Sequence, residues 1–119
     1  MYRMTLDNER IQQEHRERFG VDGRVFAAPG RVNLIGEHTD YTGGFVMPMA
    51  IESQTRAVIS PRDDGRAVFY SSNFKEEVSV LLNATEAKGR HHWSDYPAGV
   101  LWSLRRAGIG VDGDRKSVV

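Results

Sequence analysis

The sequence predicts an α+β domain, and three observations carry that expectation. A helical period opens the chain, a run of strand-like segments follows without an intervening helix, and a second helical period comes after residue 93. Strands that run on without helices between them point away from a doubly wound sheet. At 119 residues the chain is long enough for one domain with a modest core.

The elements follow in order. From Asp7 to Phe19 the residues Ile11, His15 and Phe19 recur at i+4, Thr5 or Asp7 can cap the start, and Gly20 suits the stop. The apolar stripe is thin, which predicts a helix on the domain surface. Val25 to Ala28 reads as a short strand closed by the turn signal Pro29-Gly30. Phe45 to Ile51 is a second extended run, with Pro48 marking an edge or irregular strand.

Thr55–Ser60 and Arg66–Ser71 read as two strands joined by Pro61-Arg62-Asp63-Asp64-Gly65, a hairpin signal. Val78 to Leu82 begins with alternation and predicts another strand. Trp93, Tyr96, Val100, Leu101 and Leu104 then sit at helical spacing. Ser94 or Asp95 can cap that helix, Pro97 is tolerated in its first turn, and Gly108 can end it.

Composition narrows the function. Formal charge is zero with Lys and Arg scattered, so no electrostatic footprint for nucleic acid or a membrane surface is present. The chain has no cysteine, which excludes disulfides and thiolate metal sites. The first 19 residues are too polar for a signal-peptide core, and no apolar run reaches the roughly 20 residues that span a bilayer. The expected setting is the cytoplasm, and the sequon Asn83-Ala84-Thr85 is then a chance match.

Chemistry concentrates in residues 28–51, APGRVNLIGEHTDYTGGFVMPMAI. Arg31, Glu37, His38 and Asp40 fall within ten positions, among Gly30, Gly36, Gly43 and Gly44 and between apolar runs. A polar cluster on a turn-rich loop held by apolar elements is a usual setting for binding chemistry. Carboxylates accept from two hydroxyls at once, and neutral His can donate and accept, which suits a polyol. A site of this kind rejects a wrong epimer, because the mismatch leaves buried polar groups unpaired. Arg31 is a permanent cation in a fixed donor fork, able to stabilise charge that develops on a phosphoryl group.

Competing readings of these residues are plainer. Glu-His-x-Asp is also what a solvated polar turn looks like, and a metal site built on His38 lacks the spacing of helical zinc motifs. No metal site is therefore expected. His91-His92 reads as a solvated pair before a helix cap. Trp93 and Tyr96 read as packing residues, although an aromatic at a helix start can stack on a planar ligand. Neither G-x-G-x-x-G nor G-x-x-x-x-G-K-[ST] occurs, so no phosphate loop is present.

Residues Ala28 to Ile51 closely resemble the sugar-binding signature of the galactokinases, members of the GHMP family of small-molecule kinases. Milder resemblance extends over most of the chain, including Trp93-x-x-Tyr96-x-x-Gly99. The resemblance implies the N-terminal domain of a GHMP-type kinase (ribosomal protein S5 domain 2-like), incomplete at its C-terminus. It implies that Glu37, His38 and Asp40, with Thr39 between them, bind galactose, and that Arg31 stabilises the transition state. Trp93 and Tyr96 resemble aromatics on the adenine side of the nucleotide, and Asn33 and Tyr41 resemble supports of the loop.

The implied activity is transfer of the γ-phosphoryl of ATP to the anomeric hydroxyl of galactose, with ATP and Mg2+ as cofactors. In that family the phosphate loop, the Mg2+ ligands and the catalytic aspartate lie downstream, so this chain alone is expected to be inactive and to leave apolar surface uncovered. Residues 1–113 are then a partial galactose-binding domain. Residues 114–119, Asp-Arg-Lys-Ser-Val-Val, are expected to be a non-native tail, since one reading frame of a common sequencing adapter encodes that string. The alternatives are a galactokinase-like galactose sensor acting as a transcriptional co-inducer, a kinase for arabinose or N-acetylgalactosamine, and a plain binding or structural domain.

Overall fold

The computed structural model describes residues 2–83, 91–111 and 117–118. Helix α1 spans Tyr2–Phe19, strand β1 Arg24–Ile35, and a 3-10 turn Asp40–Thr42. Strand β2 spans Met47–Ile59, β3 Arg66–Ser71, β4 Glu76–Leu81, helix α2 Asp95–Arg106, and the two-residue β5 Ser117–Val118. Strands β1 and β2 form a two-stranded sheet, while β4, β3 and β5 form a three-stranded sheet in that order. The expected mix of helices and consecutive strands is present.

The chain separates into two compact units, Met1–Val25 with Ala57–Val119, and Phe26–Arg56. In the first unit β3 is central. It pairs antiparallel with β4 in the register Arg66↔Leu81 to Ser71↔Glu76, and parallel with β5 at Val68↔Ser117 and Phe69↔Val118. Ala67, Val68, Phe69 and Tyr70 are all buried. Alternation along the strand sends them to opposite faces. Ala67 and Phe69 form a cluster with Leu82, against which Val80, Trp93, Ala98 and Leu101 pack. Tyr70 lies under the guanidinium of Arg18 on α1, 3.7 Å from the ring centroid. The two helices thus serve opposite faces of the central strand.

Helix α1 is tied to this unit by a set of polar contacts. Gln12 Nε2 donates to the Gly23 carbonyl (2.8 Å), Ser72 Oγ donates to Glu14 (2.8 Å), and Arg18 donates to Glu77 (3.2 Å). His15 is fully buried and shares a 2.9 Å hydrogen bond with Ser60 Oγ. Its Nδ1 has no partner among the described residues, and burial lowers the pKa of the ring against the opposing charge of Asp22. The thin stripe therefore does not leave α1 lying loosely on the surface, because a histidine at the centre of that stripe is completely enclosed.

Three local expectations are corrected. Pro29-Gly30 does not close a strand: β1 runs through it for 12 residues. A Cβ at Gly30 would stand 3.1 Å from Ile51 and from the Ser53 carbonyl, so the glycine marks close approach of the partner strand rather than a turn. Phe45–Ile51 and Thr55–Ser60 are not separate strands, since β2 joins most of both without a break. The hairpin expected across Pro61 to Gly65 does not form either. Gly65 accepts from Leu82 N (3.0 Å), which commits the start of β3 to β4 instead of β2.

The other elements follow expectation except at one helix start. Helix α1 ends before Gly20 as expected but starts at Tyr2, so the expected caps Thr5 and Asp7 lie inside it. Helix α2 begins after Ser94 with Asp95 in its first turn and Arg105 and Arg106 in its last, in keeping with the helix dipole. Of the expected non-native segment, Ser117 and Val118 pair with β3, and the remainder lies outside the described residues. Ala84 and Thr85 of the sequon also lie outside them.

Candidate functional site

The 26–56 unit consists of most of the hydrogen-bonded strands β1 and β2 and the loop of residues 36–46 between them. Gly36 leaves β1 at φ +100, and a Cβ there would meet the Phe45 carbonyl at 2.6 Å. Only glycine fits where the two ends of the loop close on each other. Thr39 then fastens the closure. Its Oγ1 lies 3.0 Å from the Gly36 carbonyl and 2.9 Å from the Phe45 carbonyl, so its single proton is shared between the two sides of the loop.

The main chain of Thr39 carries the rest of the turn. Its N–H donates to Gly36 O (3.1 Å), and its carbonyl accepts from Gly44 N (2.8 Å), Thr42 N (3.2 Å) and Thr42 Oγ1 (3.1 Å). Around this hub stand Glu37, His38 and Asp40, all exposed. His38 Nδ1 and the Tyr41 hydroxyl share a 3.3 Å hydrogen bond, which orients the imidazole. The side chains of Arg31, Glu37 and Asp40 make no hydrogen bond or ion pair among the described residues. Holding charged groups open on a braced loop leaves their hydrogen-bonding capacity for a ligand.

The structure therefore brings Glu37, His38, Thr39 and Asp40 together on one turn, and puts Arg31 in β1 of the same unit. Thr39 differs from its neighbours, because its hydroxyl is occupied within the loop. Asn33 is half-buried on β1, and Tyr41 braces His38. No group of three or more His, Asp or Glu side chains that could hold a metal occurs among the described residues.

Trp93 and Tyr96 belong to the other unit. Trp93 is half-buried at the start of α2, and Tyr96 is 84% exposed one turn later. The indole of Trp93 is held from two directions. Its Nε1 donates to Glu76 Oε2 (2.9 Å), and the Phe74 ring stacks with it at a centroid distance of 6.1 Å and 17° between planes. The same Glu76 oxygen accepts from His92 Nε2 (3.1 Å), and His92 Nδ1 accepts from Ser94 Oγ (2.9 Å), the tautomer being assigned from this network. His92 is accordingly not the solvated group its sequence suggests. Glu76 is pulled below the usual carboxylate range, first by the indole N–H and then by His92.

Sequence reasoning missed Phe74 and Glu76. They flank a β3–β4 turn that carries neither Gly nor Pro and places Lys75 at φ +55, so no turn signal drew attention to it. The signal available in hindsight is the alternation of β4, extended two residues toward the N-terminus.

Comparison with known proteins matches residues 13–61 to the galactokinase galactose-binding signature, a span that contains every residue of the braced loop. The chain belongs to the galactokinase family. A galactokinase of Streptococcus thermophilus is 41% identical over 110 residues, 90% of this chain and 28% of its own length. The solved galactokinase of Lactococcus lactis, complexed with galactose, superposes with a TM-score of 0.78 at 35% identity, over 92% of this chain and 29% of that one. Mevalonate kinase of Methanococcus jannaschii shares the fold, with a TM-score of 0.56 at 17% identity over 82% of this chain and 32% of that one. The GHMP-type fold expected for this member of the galactokinase family is thus present. The chain spans about 28% of the length of the curated relative from Streptococcus thermophilus.

Proposed function

We propose that residues 31–40 supply the sugar-recognising side of a galactokinase site, in which the γ-phosphoryl of ATP passes to the anomeric hydroxyl of galactose. The products are galactose 1-phosphate and ADP, with the hydroxyl proton released. The observation that carries this reading is the braced loop. Thr39 closes it internally, while Glu37 and Asp40 face outward without protein partners among the described residues. Two carboxylates and an imidazole on one turn read a set of sugar hydroxyls, the carboxylates accepting and His38 Nε2 remaining available beyond its Tyr41 contact. The Lactococcus lactis relative, solved with galactose, supports the choice of sugar.

Arg31 is assigned to the phosphoryl side. Its guanidinium bears a permanent charge and has no acidic partner among the described residues. It would offset negative charge spreading over the transferred group. Trp93 and Tyr96 are assigned to the adenine side of ATP, as aromatic surface at a helix start. Family resemblance also implies Mg2+, and no group of three or more His, Asp or Glu side chains that could hold it occurs among the described residues. A cytoplasmic setting is consistent with this chemistry, and no helix among the described residues is long and apolar enough to cross a membrane.

Calorimetry tests the assignment directly. Galactose titrated into the 119-residue chain is expected to bind, with glucose at least tenfold weaker, and Glu37→Gln and Asp40→Asn each reducing galactose affinity about tenfold. Equal binding of the two sugars would overturn the galactose reading. Sugar-dependent ATP turnover is expected to be absent in this chain by itself, and its detection would show that the groups for phosphoryl transfer are already in place.

A further inference from the structure

The β3–β4 turn does more than reverse the chain. It presents two side chains, two residues apart, to one indole. Phe74 approaches the flat of the Trp93 ring and Glu76 takes its N–H, at 6.1 Å between centroids and 2.9 Å from Nε1 to Oε2. A stacked neighbour limits the tilt of an indole, and a hydrogen bond in the ring plane limits its rotation about the ring normal. Together they fix the ring far more closely than the partial burial of Trp93 alone would do.

The turn is itself anchored. Ser71 O accepts from Lys75 N (2.8 Å), Ser71 Oγ accepts from Phe74 N (3.3 Å), and Glu14 of α1 holds Ser72 at 2.8 Å and Lys75 at 3.6 Å. Glu76 is also the first residue of β4, paired with Ser71 of β3. A rigid strand end therefore carries the carboxylate. The second donor on the same oxygen, His92 Nε2, is locked by Ser94, which is 3% exposed. Such an arrangement exceeds what is needed to seat a packing residue, because Trp93 already touches the Ala67, Phe69 and Leu82 cluster.

We propose that Glu76 is a positioning residue for the nucleotide base, acting through Trp93, with Phe74 as its partner on the ring face. This rests on the assignment of Trp93 to the adenine side. The carboxylate consumes the one polar group of the indole and holds the ring at a fixed angle, so that what it offers a ligand is an apolar, oriented edge and face suited to a planar purine. Pre-set orientation improves affinity because the ring need not be ordered when the base arrives.

The 119-residue chain carrying Trp102→Phe leaves Trp93 as its single tryptophan. Its emission is followed while adenosine, ATP and, as a control, galactose are added. Adenosine and ATP are expected to quench Trp93. Glu76→Ala in this background is expected to weaken adenosine binding about tenfold and shift the emission to longer wavelength, and Glu76→Gln, which keeps an acceptor for the indole, about threefold. Galactose affinity measured by calorimetry stays unchanged in both. Adenosine affinity equal in the parent and Glu76→Ala overturns the inference while leaving the Trp93 assignment standing. Parallel losses of adenosine and galactose affinity also overturn it, since Glu76 would then serve only folding. An absence of any quenching in the parent overturns the Trp93 assignment and this inference together.

Discussion

Thr39 Oγ1 lies 2.9 Å from the main-chain oxygen of Phe45, across the mouth of the loop that carries Glu37, His38 and Asp40. The residue stands between the side chains proposed to read the sugar, yet its hydroxyl is directed into the loop. The contribution proposed for it is therefore indirect. Thr39→Val keeps the shape and removes the shared proton, leaving two carbonyls without that donor. Galactose affinity is expected to fall about tenfold in Thr39→Val and by no more than about twofold in Thr39→Ser, which retains the hydroxyl. Calorimetry of the two variants decides, and equal losses would show that the hydroxyl closure has no special part in binding.

Gly36 and Gly43 both adopt positive φ, but only one is enclosed. Gly36→Ala would place Cβ 2.6 Å from the Phe45 carbonyl, whereas Gly43→Ala meets nothing within 4 Å. The second substitution carries only the left-handed penalty of about 1–2 kcal/mol for an L-residue. The first also forces the loop ends apart. Galactose binding should be abolished in Gly36→Ala and weakened no more than about thirtyfold in Gly43→Ala if the whole backbone penalty fell on the bound state. Circular dichroism of both variants checks that the strands remain.

His15 couples α1 to pH. Burial lowers its pKa below the ordinary 6.5, opposed by Asp22. The unfolded chain then binds a proton near 6.5 that the folded chain binds only at lower pH. Between those values the unfolded state holds more protons, so stability rises with pH. The contribution is fully present above about 6.5 and is lost as pH falls through the folded value. The melting midpoint is expected to drop on acidification from about pH 7 to 5, and to drop less in His15→Gln. Identical pH slopes in the two proteins would remove His15 as the cause.

Asp64 gives a sharper titration signature. Arg62 donates to both of its carboxylate oxygens, at 3.2 and 2.5 Å, and Arg66 N donates at 3.2 Å. The pair with Arg62 is the leading cause that holds Asp64 at about 2 instead of 3.8. Nuclear magnetic resonance of the Asp64 carboxyl is expected to show a midpoint near 2 in the parent, moving up toward 3.8 in Arg62→Ala. The pair is exposed, so the melting midpoint near neutral pH should scarcely change.

Local signals made the helices legible and misled on the strands. Periodicity and flanking caps located α2 within two residues, because its inner positions Ala98 and Leu101 face a real core. The strand errors share one cause. Pro29-Gly30 and Asp64-Gly65 are turn signals by composition, but what they do depends on a partner distant in sequence: Ile51 and Ser53 beside Gly30, Leu82 on the Gly65 carbonyl. The loop chemistry was legible because its ionisable residues sit close together in sequence. The Trp93 clamp was not, since Glu76 lies 17 positions from the indole it holds.

The 26–56 unit has a final property that can be measured. Its apolar side chains face outward: Leu34 is 60% exposed, Ile35 69%, Met47 57% and Phe45 100%. Phe45 is fixed through its carbonyl, which Thr39 holds, and its ring makes no use of that position. Burying one such side chain is worth about 1.5–3 kcal/mol, so covering several at once favours association of chains. The 119-residue chain is expected to bind a hydrophobic dye and to scatter light increasingly with concentration. Leu34→Thr, Ile35→Thr and Phe45→Ser combined should suppress both, while leaving the Phe45 carbonyl and the Thr39 closure in place. A parent chain that stays monodisperse, or a triple variant that scatters as much as the parent, would show that these side chains do not drive association.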